Sequence, residues 1–253
     1  MLTHCRTIVC AGVLLAAACV PASAQPAFDA ASNAVMAGGT TRTWSHTASG
    51  ADRYLLVASC IYTPATETTT GVTFNGVALT QVRANADVAG PELGLSVWEL
   101  IAPGAVTADV VITASASTDI SGAALSFTGA NQTNPSTNDN GATGTGVTPS
   151  VTVTSATGNR VGGFACWNNT GSNPAASGAD QTERIDQVSG LYDLTASDEA
   201  GSASVTHSYT ITPSTEWSII GVDIDESSGA PPAAPAAPKL PLLGVGRGAA
   251  AAW

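Results

Sequence analysis

A chain of 253 residues with 8 Lys and Arg against 19 Asp and Glu, formal net charge −11, has no basic face to hold a phosphate backbone, and this excludes nucleic acid as a partner. Only 11% of residues are charged, and Thr, Ser, Ala, Gly and Val dominate, which suits short strands and tight turns more than helices. After the N-terminal region no stretch approaches the roughly 18 continuous apolar residues of a membrane helix, so no transmembrane segment is expected.

The N-terminus places His4 and Arg6 before an apolar run from Thr7 to Val20, followed by Ala22, Ser23 and Ala24. This pattern predicts a secretory signal peptide over residues 1–24 and a mature start at Gln25. A competing reading takes Ala16, Ala17, Ala18 and Cys19 as a lipoprotein box, with Cys19 lipidated. Loss of the signal removes one basic residue, Arg6, and no acidic one, leaving a mature charge of −12, consistent with solubility in a secreted, cell-surface or periplasmic setting. Cys5, Cys10 and Cys19 leave with the signal. Cys60 and Cys166 remain, an even count that permits one disulfide in an oxidising compartment; two separate buried thiols are the alternative.

Strands are predicted near Thr41–Thr47, Arg53–Tyr62, Gly71–Val82, Leu93–Ile101, Ala108–Ala116 and Gly122–Thr128. Within GVTFNGVALTQV, Asn75 and Gly76 lie between alternating arms and favour a type I′ hairpin turn. A second series follows at Ser150–Ser155, Arg160–Trp167, Gln181–Val188, Leu191–Ser197, Ser202–Thr212 and Trp217–Asp225. DRYLLVASCIYT (52–63) matches NRVGGFACWNNT (159–170) with a one-residue slip. GLSVWEL (94–100) matches GLYDLTA (190–196), TADVVITASAS (107–117) matches SASVTHSYTIT (202–212), and ISGAALSFT (120–128) matches WSIIGVDID (217–225). The ordered series predicts an internal duplication. Leu125 and Phe127 alternate with polar neighbours as Val222 and Ile224 do, which predicts half-buried antiparallel sheet.

The expected fold is therefore all-β: a two-sheet antiparallel jelly-roll-like sandwich built from two similar six-stranded halves, about 42–129 and 148–226, in one domain spanning 25–226 and sharing one apolar core. Residues 129–149, poor in apolar side chains, read as the linker between halves. Residues 227–253 read as a Pro/Ala-rich disordered tail. Its KLPLLGVGRG segment resembles a sorting signal in outline but is too short to span a membrane. Cys60 and Cys166 sit late in the second strand of each half, where a pseudo-two-fold arrangement would bring them together; the one-residue slip argues against this, because successive strand residues point to opposite faces.

GVTFNGVALTQV, SVWELIAPG, LSFTGANQTNP and GADQTERIDQ resemble an uncharacterised family of exported bacterial and phage-like β-sandwich proteins. In that family a Val-Thr-aromatic-Asn/Gly-Gly-Val-x-Leu-Thr hairpin precedes a Trp-bearing strand and a later Gly-x-x-Gln-Thr-Glu/Gln-Arg strand. The resemblance covers roughly residues 40–226 and implies the sandwich; it brings no catalytic residues and leaves function open.

Chemistry-bearing residues are few. His46 and His207, the two histidines outside the signal, lie in Thr/Ser-rich strands, without a G-x-S-x-G elbow or a zinc motif, and read as sheet-filling residues. Ten acidic residues fall between Val161 and Glu226 against one basic, Arg184. Their alternation with apolar residues predicts a solvated sheet face, with calcium ligation or carboxylate catalysis as the sharper alternatives. Asn138 to Gly141 lacks the spacing of an EF-hand and reads as a turn. Trp98 and Phe127 read as core. Trp167 is followed by Asn168 and Asn169, so an indole beside amides at a loop mouth is the candidate ligand-binding site, against a core-capping alternative. No catalytic residue, metal or cofactor is assigned. The functional expectation is a non-catalytic exported module for surface attachment through a glycan or surface protein. A self-associating surface-layer or phage-tail-like subunit and a carbohydrate-active enzyme are the alternatives.

Overall fold

A computed structural model describes residues 24–62, 67–85, 93–168, 174–189 and 191–228. Residues 1–23 of the predicted signal peptide, residues 229–253 of the predicted tail, and Asn169 lie outside the described residues. Among the described residues there are fifteen strands, all paired antiparallel. The first seven are β1 (Ala27–Thr47), β2 (Tyr54–Tyr62), β3 (Thr69–Phe74), β4 (Val77–Ala78), β5 (Thr80–Ala84), β6 (Leu93–Ile101) and β7 (Thr107–Thr128). They are followed by β8 (Asp139–Gly146), β9 (Ser150–Thr154), β10 (Arg160–Asn168), β11 (Ala176–Ser177), β12 (Thr182–Gln187), β13 (Tyr192–Ala200), β14 (Ser204–Thr210) and β15 (Thr215–Ile224). Among the described residues no helix is long and apolar enough to cross a membrane.

The architecture is an antiparallel β-sandwich, but it has more layers than the two predicted. Strands β1 to β7 form a 7-stranded sheet, β12-β13-β10-β15-β8 a 5-stranded sheet and β11-β14-β9 a 3-stranded sheet. The reason lies in β2 and β10: every residue from Tyr54 to Ile61 and from Val161 to Trp167 is buried. A strand covered on both faces needs a packed layer on each side, so its sequence runs apolar without alternation. One face of β2 and β10 lies in a shared core holding Leu56, Cys60, Leu95, Leu125, Phe127, Phe164, Cys166, Leu194, Val222 and Ile224. The opposite face of β2, with Leu55, Val57 and Ile61, packs on Trp44, Phe74, Val110 and Ile112. The opposite face of β10, with Ala165 and Trp167, packs on Val151, Tyr209 and Ile219.

The long strands β1 and β7 serve two layers each. Near its N-terminus β1 pairs with the end of β7 (Phe28 with Phe127), and near its C-terminus with the beginning of β7 (Trp44 with Val110), with register shifts at Ala34/Ala37 and Gly39/Thr41 between. Such shifts bend a strand and let it change layer. In the second series the corresponding path is interrupted, β8 pairing with β15 and β9 with β14. Pro149 and Pro213 fall at these interruptions, and each removes a backbone donor.

Two expectations change here. The segment 129–149 is not a linker throughout, since β8 completes the edge of the 5-stranded sheet. Its glycines admit neighbours: a Cβ at Gly144 would meet the Trp217 ring 2.7 Å away. The first series also begins earlier than Thr41, because residues 27–34 pair with β7. The Asn75-Gly76 turn joins β3 to β4 with φ of 50° and 74°.

Cys60 and Cys166 form a disulfide at the centre of the shared core, with Cα atoms 6.2 Å apart. Cys60 pairs with Leu95 of β6 and Ser121 of β7, and Cys166 with Leu194 of β13 and Ser218 of β15. The bond joins residues 106 apart, and chain-entropy reasoning assigns such a loop a stabilisation of about 4.7 kcal/mol. Replacing both cysteines by Ala is therefore expected to lower the unfolding free energy by several kcal/mol in a denaturant titration while the fold persists. An unchanged midpoint would contradict this role.

Candidate functional site

The residues singled out as a loop-mouth site do not form one. Trp167 is fully buried and ranks among the largest buried side chains. It packs on Val151, Ala175, Tyr209 and Ile219, so its indole offers no face to a ligand. The cause is parity: Ala165 and Trp167 point to one side of β10 and Phe164 and Cys166 to the other, and both sides are covered. The Nε1 of Trp167 has no hydrogen-bond partner among the described residues. Asn168 ends β10 half-buried.

The acidic residues of the second series are not all on a solvated face either. Asp193, Asp198 and Asp223 are buried. Asp198 is held between the guanidinium groups of Arg160 and Arg184, one on each carboxylate oxygen. Arg184 also lies over the Phe28 ring, 3.8 Å from its centre, a cation–π contact between β12 and β1. Asp223 accepts hydrogen bonds from Ser155 Oγ at 2.6 Å and Asn159 Nδ2 at 3.0 Å. Burial nevertheless raises the pKa of its carboxyl, with Asp225 adding to the rise. Among the described residues no group of three or more His, Cys, Asp or Glu is placed to hold a metal ion.

Both histidines are buried in polar clusters. Ser32 Oγ lies 2.7 Å from His46 Nδ1 and accepts from Trp44 Nε1 at 3.0 Å. Ser197 Oγ lies 3.1 Å from His207 Nδ1 and 2.7 Å from the Tyr209 hydroxyl, and accepts from Gln181 Nε2 at 2.8 Å. Serine beside histidine near Asp198 has the composition of a nucleophile and its base, but Ser197 and His207 are fully buried. A nucleophile must reach substrate as well as its base, so this cluster acts as a packed polar network. Gly163 makes room for it, since a Cβ there would overlap the His207 ring.

Among the described residues one open feature is a groove of about 440 Å³ on the outer face of the first series, lined by residues of β2, β3, β5 and β6, by Glu67 and Thr68 just before β3, and by Asn85 just after β5. Its polar lining is Glu67, Thr68, Thr69, Gln81, Asn85 and Ser96; Ile61 and Ala84 supply the apolar part, and the Leu95 side chain turns away into the shared core. The walls are pre-set by hydrogen bonds. Ser59 and Thr69 hydroxyls meet at 2.7 Å, linking β2 to β3, and Trp98 Nε1 donates to Ser96 Oγ at 2.9 Å. Asn85 Nδ2 donates to Ser218 Oγ at 2.8 Å and to the Ile219 carbonyl at 2.9 Å, anchoring one end of the groove to β15. Local sequence gives no sign of this site because four separate strands build it. Hydroxyl and amide groups beside Ile61 and Ala84, with the Glu67 carboxylate and no Lys or Arg among the described lining residues, suit a ligand rich in hydroxyls and disfavour anions.

Compared with protein-family models, curated proteins and solved structures, the chain matches none.

The buried histidines make stability depend on pH. Burial lowers the pKa of both His46 and His207 from 6.5 to about 4. Between those values the unfolded chain takes up protons that the folded chain refuses, so stability falls as pH drops from 6.5 towards 4. Asp29 extends the loss below pH 4: its burial is outweighed by hydrogen bonds from Ser49 and Ser126, which hold its pKa below the ordinary value, so its contribution is lost as pH falls further. Asp186, Glu199 and Asp223, raised mainly by burial, act in the opposite sense, and the histidines are expected to dominate. Thermal melts should show a lower midpoint at pH about 4.5 than at about 7, with a flatter dependence in the His207→Gln variant. A midpoint that rises on acidification would contradict this.

Proposed function

We propose that this chain is a non-catalytic exported module for surface attachment, and that it binds a neutral, hydroxyl-rich ligand, a glycan segment, in the groove between β3 and β5. The observation that carries the reading is the groove's lining: hydroxyl, amide and carboxylate groups beside Ile61 and Ala84, with no cationic side chain among the described lining residues. Sugars present that complement, hydroxyls around an apolar ring face. The hydrogen bonds that fix Thr69, Ser96 and Asn85 hold the walls before a ligand arrives, which lowers the ordering cost of binding. The burial of Ser197, His207 and Asp198 keeps that cluster from serving as a nucleophile and its base, which supports the non-catalytic reading. Export rests on the N-terminal pattern ending Ala22, Ser23, Ala24.

We also read the two series of strands as copies of one unit. With Cys60 set level with Cys166, Leu95 corresponds to Leu194 and Ser121 to Ser218. Following the ladders outwards, the bulge between Gln81 and Arg83 then falls level with the bulge between Glu183 and Ile185. A bulge at the same register in two edge strands is hard to obtain by chance.

A glycan array probed with the protein from Gln25 onwards should give hits among neutral oligosaccharides. The variant Thr68→Ala with Gln81→Ala should lose those hits while keeping the wild-type melting temperature. An array without hits, or a variant that binds as the parent does, would overturn the assignment.

A further inference from the structure

The two copies treat the groove position differently. Ile61 follows Cys60 in β2 and lines the groove; the residue that follows Cys166 in β10 is Trp167. Both point to the outer face of their sheet, Ile61 towards the layer with Val72 and Ile112 and Trp167 towards the layer with Val151 and Tyr209. Exchanging Ile for Trp adds the volume of a second ring system at that point, and the added indole is fully buried. The surrounding wall changes as well. Ala84, which lines the groove, pairs with Ser96, as Asp186 pairs with Thr195 one register position from Leu194. Asp186 accepts a hydrogen bond from the Ala175 backbone N–H at 3.3 Å. That bond ties the segment leading into β11 to β12, and Ala175 packs in the same buried cluster as Trp167.

From this we infer that the second copy holds a closed counterpart of the groove, plugged by Trp167 and latched by Asp186 on Ala175, while the groove of the first copy stays open. The plug itself rests on the register and burial; only the identity of the ligand rests on the glycan reading above.

The test uses two reciprocal variants and free indole as the probe. Trp167→Ala should open a cavity at this position, and millimolar indole should bind there and raise the variant's melting temperature by several degrees without affecting the parent. If that variant does not fold, Trp167→Leu, which keeps more of the packing, serves for the same measurement. Ile61→Trp should place its indole in the groove of the first copy, as a crystal structure would show, and abolish any oligosaccharide hit found for the parent. The inference is overturned if indole leaves the Trp167 variants unchanged, or if the indole of Ile61→Trp lies outside the groove. A parent protein without oligosaccharide hits overturns the glycan reading alone, because indole rescue and the Ile61→Trp structure do not depend on it.

Discussion

Strands β2 and β10 are buried on both faces, and most of the architecture follows from that constraint. A doubly covered strand must be apolar on both sides and must have a sheet packed on each. The shared core satisfies the inner faces of both strands at once, with Cys60 and Cys166 bonded inside it. The outer faces then require separate cover, which the turned portions of β1 and β7 provide on one side and β9, β11 and β14 on the other. Hydrophobic burial stabilises such stacked layers in proportion to the apolar area removed from water. The disulfide adds its effect through the unfolded chain.

Polar groups caught between these layers had to be paired. Glu99 accepts hydrogen bonds from the Tyr54 hydroxyl at 2.5 Å and Ser136 Oγ at 2.7 Å, and burial together with Glu99 raises the pKa of Tyr54. Asp198, level with Glu99 under the proposed correspondence, meets Arg160 and Arg184 instead. A buried ion pair contributes little net stability against an apolar alternative but costs several kcal/mol to break. These contacts therefore fix register and partner more than they add stability. Across the shared core, Arg83 to Asp139 and Asn33 to Gln187 at 3.2 Å join edge strands of opposite sheets.

What the sequence revealed follows how local each signal is. The Asn75-Gly76 turn and the apolar runs of β2 and β10 were legible because neighbouring residues carry them. The N-terminal part of β1 and the edge strand β8 were not: AFDAASNA and DNGATGTG contain too few large side chains to show a period, and their place is set by pairing with β7 and β15. Trp167 was read from the amides that follow it, whereas alternation with Cys166 on a strand apolar on both faces pointed to the core. The groove escaped notice because its lining comes from positions between Ile61 and Ser96 brought together only by folding.

Residue-resolved hydrogen exchange tests most directly the central claim, that one shared core makes both series of strands a single cooperative body. Amides of Leu56 to Cys60 and of Gly162 to Cys166 are predicted to exchange at the same, slowest rates and only through global unfolding. Exchange of β10, β13 and β15 at a distinctly lower free energy than β2, β6 and β7 would show that the second series opens alone, and would contradict the account.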